Sequence, residues 1–218
     1  MQKKFYTMKK LVLFLIAIMM MVPCVEADAQ SKELMKQRKK EYKAKIKSYN
    51  QDKWEIFGST RSLEVALLTH YDKLDKLGDD GHEVVGIANR FQSKNVGKQM
   101  AINNACLTYA QQAGSSLKGR VVSDMAGDGI ESDAEFDHFY AAYERLVEKE
   151  IKNAMQESYA IIRQLDDEHF EMQVFYIVSE SAASKARIRA LENAAKESEV
   201  AQAYAEKVAE FVREGFEE

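Results

Sequence analysis

The sequence predicts an α+β fold: a small, mainly antiparallel sheet covered by helices and preceded by a basic N-terminal helix. Three observations predict it. Residues 157–178 read as two strands joined by an acidic turn at Asp166-Asp167, with Phe170, Met172, Val174, Tyr176 and Val178 alternating onto one face. Most of the remaining chain shows the helical spacing of apolar side chains needed to cover that stripe. Finally, the turn Gly78-Asp79-Asp80-Gly81 opens HEVVGIANRFQ, which alternates as a strand does. The expected order after the leading helices is strand, helix, helix, strand, strand, helix.

The first residues read as an export signal. Lys3, Lys4, Lys9 and Lys10 precede an apolar run over residues 11–22, Pro23 breaks it, and Ala27-Asp28-Ala29 offers the small residues a signal peptidase reads. The run falls short of the roughly 20 apolar residues a membrane span needs. Cleavage after Ala29 is the expectation, giving an exported protein, periplasmic, associated with the outer membrane, or secreted. The rival is a lipoprotein signal acylated at Cys24, but Met21-Val22-Pro23 lacks the usual leucine and small residues before the cysteine. After cleavage Cys106 has no second cysteine to bridge. Among alanines at helical spacing, it reads as a small buried hydrophobe.

Charge is unevenly placed. Residues 31–53 hold nine Lys/Arg against Glu33, Glu41 and Asp52. The whole chain holds 31 basic and 35 acidic residues; removing those and the four and two of residues 1–29 leaves 18 basic against 30 acidic. An acidic body argues against nucleic acid, which needs a broad basic surface.

The elements follow in order. Ser31 is placed to cap a basic helix with sparse apolar positions at Leu34, Met35, Tyr42, Ile46 and Tyr49. QDKWEIFG then reads as an aromatic linker in which Trp54, Ile56 and Phe57 peg the leader to the core. A helix from Ser62 puts Leu63, Ala66, Leu67, His70 and Leu74 on one face, with His70 a hydrogen-bonded packing residue rather than a ligand. In the strand that follows, Val85, Ile87 and Phe91 share one face, and the smaller Val84, Gly86 and Ala88 share the other. That small face allows a helix to approach closely. An alanine-bearing helix carries Ile102, Cys106, Tyr109, Ala113, Leu117, Val121 and Met125 in one line, with Gly114 and Gly119 pointing to a kink or a switch to strand. Ser132 and Glu135 form a capping box for a helix with Phe136, Phe139, Tyr140, Tyr143, Leu146, Val147 and Ile151 inward. After the hairpin, one long helix from about residue 179 to Val212 is expected to pack closely at first and then project as a coiled end.

The familiar catalytic signatures are missing: no Gly-Lys-Ser/Thr phosphate loop, no Gly-x-Ser-x-Gly elbow, no His-Glu-x-x-His helix. His70, His82, His138 and His169 stand apart. No catalytic or cofactor-binding residue is assigned. One stretch, residues 124–135, has partial calcium-loop spacing: Asp124, Asp128 and Glu135 at the first, fifth and twelfth places and Gly129 at the sixth. Ala126 breaks the third place, and Glu135 is also accounted for by the capping box.

The Lys-rich KELMKQRKKEYKAKIKS, the aromatic KWEIFG, SLEVALLTHYDKL, the strand ending GIANRF and the YAIIRQL–FEMQVFYIV hairpin lie in an order that resembles a group of exported Bacteroidota proteins of unknown function, over residues 32–195. More distantly, residues 82–178 are similar to the envelope lipoproteins typified by the Helicobacter twenty-kilodalton outer-membrane antigen. The acylated cysteine of those proteins has no counterpart here. The resemblance implies an envelope or secreted protein and assigns no site residues. The expected organisation is a signal over 1–29, a basic leader and linker over 30–58, an α+β core over 59–178 and a C-terminal helix over 179–218. The expected function is a non-enzymatic envelope protein that meets another envelope protein or a membrane surface. The alternative is a calcium- or small-ligand-binding module using residues 124–135.

Overall fold

A computed structural model describes residues 24–125, 134–197, 202 and 205–214. These form six α-helices and one four-stranded antiparallel sheet. The order is α1 (Cys24–Gln51), β1 (Glu55–Phe57), α2 (Leu63–Leu77), β2 (Gly81–Phe91), α3 (Lys94–Met125), α4 (Ala134–Ile151), β3 (Gln156–Gln164), β4 (Phe170–Ser179), α5 (Glu180–Ala195) and α6 (Ala205–Glu214). The chain divides between Ser48 and Tyr49 into two units. Helix α1 covers Cys24–Gln51, so Ser31 lies inside it and not at its cap. The expected export signal falls mostly on residues outside those described.

In the second unit the strands lie in the order β1-β3-β4-β2. The β3–β4 hairpin turns where the sequence predicts. Asp166 Oδ1 accepts from the backbone N–H groups of Glu168 at 3.1 Å and His169 at 2.8 Å, tying the loop to itself as Asp does in turns. Arg90 Nη2 reaches the same carboxylate at 3.1 Å.

The stripe on β4 is buried against α3. Met172, Val174 and Tyr176 pack with Ala160 and Ile162 of β3, Ala88 and Phe91 of β2, and Ala101 and Ala105 of α3. Helix α3 comes as close as the small face of β2 allows. A methyl group on Gly86 would sit 2.8 Å from the Ala101 carbonyl carbon and 2.9 Å from Ala105 Cβ. The helix also reaches over the sheet edge, where Asn104 Oδ1 accepts from the outward N–H of Ile87 at 3.0 Å. A second core lies among the helices. It joins Tyr109, Leu117 and Val121 of α3, Phe139, Tyr143, Val147 and Ile151 of α4, the alanines of α5, and Val208 and Val212 of α6. Helix α2 covers the opposite face of the sheet, burying Leu63, Ala66, Leu67 and His70.

Four expectations are corrected. QDKWEIFG is not only a linker. Glu55, Ile56 and Phe57 pair with Ile162, Ile161 and Ala160 as an edge strand, and Arg163 lies 4.7 Å over the buried Trp54 ring. Phe91 does not share a face with Val85 and Ile87. A bulge between Ala88 and Phe91, with Arg90 at φ 48°, adds one residue, and one residue turns a side chain to the other face. The α3 glycines do not switch the chain to strand, and the helix continues through both. At Gly114 a Cβ would lie 2.6 Å from Glu144 Cδ, so the missing side chain makes room for α4. The C-terminal segment is not one helix: α5 ends at Ala195, and α6 buries Val208 and Val212 in the helical core instead of projecting.

Candidate functional site

The sequence-predicted calcium stretch lies only partly among the described residues. Asp124 is in the last turn of α3, Glu135 is the second residue of α4, and Asp128 lies outside the described residues. No group of three or more His, Cys, Asp or Glu side chains able to hold a metal ion occurs among the described residues. Cys106 is buried, and burial pushes its thiol above the ordinary pKa, as a small core hydrophobe requires.

The four histidines have separate settings. His70 is fully buried under α2. Its Nε2 lies 2.5 Å from Glu83 Oε2, and its ring meets the edge of Tyr159 at 5.3 Å between centroids. Tyr159 stacks on Phe175 at 4.3 Å, and its hydroxyl faces that of Tyr49 at 3.5 Å. Burial raises the pKa of Tyr159, and its hydrogen bond with Tyr49 adds to the rise, so the phenol keeps its proton. This pattern of imidazole, carboxylate and phenol has acid–base chemistry in its parts. With His70 enclosed, it works as a packing cluster of two polar pairs that meet through ring contacts, and His70 Nδ1 has no hydrogen-bond partner among the described residues.

His82 Nε2 is 3.2 Å from Glu180 Oε2, a distance that serves an ion pair once the ring is protonated but lacks hydrogen-bond alignment. Glu180 in turn holds Arg187, the second buried polar centre. Arg187 is 1% exposed; it donates to Glu180, to Tyr109 Oη at 2.6 Å and to the Val212 carbonyl at 3.3 Å. Burial opposes the guanidinium charge, but the bond to Glu180 and the nearby Tyr109 more than offset it, holding the pKa above the ordinary value. The group therefore ties α3, α5 and α6 together. His169 Nδ1 lies 2.7 Å from Asp166 Oδ1 within the hairpin turn, and that bond is the main cause of the lowered Asp166 pKa.

His138 lines an open groove of about 450 Å³ with Phe139, Ala141, Ala142, Arg145, Ala194 and Glu197. Its one carboxylate, Glu197, lies 3.7 Å from Arg145. A nucleophile or second acid that would make a hydrolytic site with His138 is missing from that lining.

Sequence reasoning missed Arg187 and the His70–Glu83 pair. Arg187 carried a signal: it falls at helical spacing among Ala183, Ala186, Ala190 and Ala194, on the face that must be buried. Glu83 carried none, because its meeting with His70 depends on how α2 crosses the sheet.

In the first unit, Lys36, Lys39, Lys40, Lys43 and Lys47 are all exposed along α1. Among the described residues no helix is long and apolar enough to cross a membrane. No protein-family model, curated protein or solved structure matches the chain. The functional reading therefore rests on its own residues.

Proposed function

We propose that this protein is an exported component of the cell envelope that works by binding, without catalysis of its own. The observation that carries this reading is the segregation of charge. Nine basic residues against three acidic ones lie in residues 31–53, while residues 54–218 hold 18 basic and 30 acidic. Such asymmetry favours attraction to a partner of one sign through one part of the chain. The export-signal pattern of residues 1–29 supports the envelope as the place where this happens. The buried polar groups fit this reading, since His70 pairs with Glu83 and Arg187 with Glu180 inside the packing.

The test is envelope fractionation with in-cell crosslinking of the tagged protein, beside a variant lacking residues 31–48. The cut stops at Ser48 because the Tyr49 hydroxyl faces Tyr159 in the compact unit. Full-length protein is expected in the envelope fraction, and the deletion is expected to release it. Recovery of the full chain in the cytoplasm, or unchanged fractionation of the deletion, would overturn the proposal.

A further inference from the structure

The exposed lysines of α1 share a face. An α-helix advances roughly 100° per residue, so positions three, four, seven and eleven apart fall close to one line. Lys36, Lys39, Lys40, Lys43 and Lys47 have this spacing, and all five are exposed. The row is about 16 Å long, from eleven steps of about 1.5 Å. Glu41, the one acidic residue of residues 34–51, falls on the other side of the helix. Met35, 69% exposed, flanks the row with an apolar side chain.

A narrow row of flexible ammonium groups suits a plane of many mobile phosphates better than a single fixed anion. Lysine presents a compact point charge with no preferred fork geometry, so it takes headgroups in any orientation. The flanking methionine can enter the headgroup boundary, as apolar residues of interfacial helices do. A nucleic-acid surface would need basic residues spread over the domain, and the rest of the chain is strongly acidic. We infer that the lysine face of α1 binds the anionic phosphate surface of a glycerophospholipid bilayer. The inference rests on the envelope reading above and names the partner of its basic helix.

The experiment is vesicle co-sedimentation of the full chain, purified as the cell processes it. The vesicles are phosphatidylcholine alone or phosphatidylcholine mixed with phosphatidylglycerol. Binding to the anionic vesicles only is expected, weakening as salt screens the charges. Changing Lys36, Lys39, Lys40, Lys43 and Lys47 to Gln should lower that binding by about a hundredfold or more. Changing the same five to Arg should keep it, as should Gln at the exposed Lys73, Lys76, Lys94, Lys118 and Lys196. Circular dichroism confirms that each variant is folded.

Equal binding by the five-Gln variant, or equal binding of the parent to pure phosphatidylcholine, overturns the inference. Tighter binding to duplex DNA or single-stranded RNA than to anionic vesicles does so too. If the parent ignores every vesicle yet still fractionates with the envelope, the lipid assignment falls and the envelope function stands. A parent found free in the cytoplasm removes both.

Discussion

The two faces of the sheet are built on different rules. Toward α3 the contact is made by absence: Gly86, Ala88, Ala101, Ala105 and Ala160 let the helix backbone approach the strands, and larger apolar groups fill in around them. Toward α2 the contact is made by polar and aromatic groups, with the His70–Glu83 and Tyr49–Tyr159 pairs meeting at the edge contact of the His70 and Tyr159 rings beside the Tyr159–Phe175 stack. The first face depends on volume and the second on direction. Volume leaves a periodic trace in sequence, while a hydrogen bond between distant residues leaves none.

Breaking the helical side should cost most. Arg187→Ala removes the donor that holds Glu180, Tyr109 and the α6 carbonyl at Val212, leaving their acceptors without it. Losing one partner of a buried ion pair costs about 4 kcal/mol. Denaturant unfolding should show this, and a loss below about 1 kcal/mol would mean the network is dispensable. Gly86→Val should follow at about 3 kcal/mol through overpacking against Ala101 and Ala105. Its neighbour Ile87, 41% exposed on the other face, is the control, and Ile87→Ala should change stability by at most about 0.5 kcal/mol. A similar loss in both variants would erase the distinction between the faces.

On the α2 side, His70→Ala should cost about 2 kcal/mol, from the lost bond to Glu83 and the small space left behind. A double-mutant cycle with Glu83→Gln sharpens the comparison, since coupling is expected there and none between His70 and Gly86. A further effect is confined to alkaline pH. Burial, aided by the nearby Asp137 charge, pushes Tyr140 up to about 12. Between pH 10 and that value the folded chain holds a proton that the unfolded chain releases, so stability falls as pH rises through this window. Tyr140→Phe should flatten that part of the pH–stability curve, and an unchanged slope would assign it to other buried phenols such as Tyr159.

Much of the fold was legible because its core follows simple periods. The β4 stripe, the inward line of α4 and the small face of β2 can each be read from spacing two or about three and a half. What escaped was set by single residues or by chain return. The Arg90 bulge reverses Phe91 without any change in the apolar pattern, and β1 is three residues long, too short to show alternation. The break after Ala195 was hidden because Val208 and Val212 continue a helical period while packing as a separate element. The candidate binding face was legible as charge, since nine basic residues cluster in residues 31–53. The alignment of Lys36, Lys39, Lys40, Lys43 and Lys47 along one side of α1 needs the helix to be known. The residues 124–135 pattern falls mostly outside the described residues.

The Asn104 side chain has a consequence for the protein in a crowded compartment. Strand β2 is eleven residues long and borders the sheet, the kind of edge on which a second chain could add itself strand by strand. Asn104 occupies the Ile87 N–H, and the bulge at Arg90 bends the far end away from a flat template. At the opposite border β1 offers only a short run before Gly58 turns the chain at φ 70°. Both margins of the sheet thus carry a local obstacle to the strand-by-strand addition of a second chain.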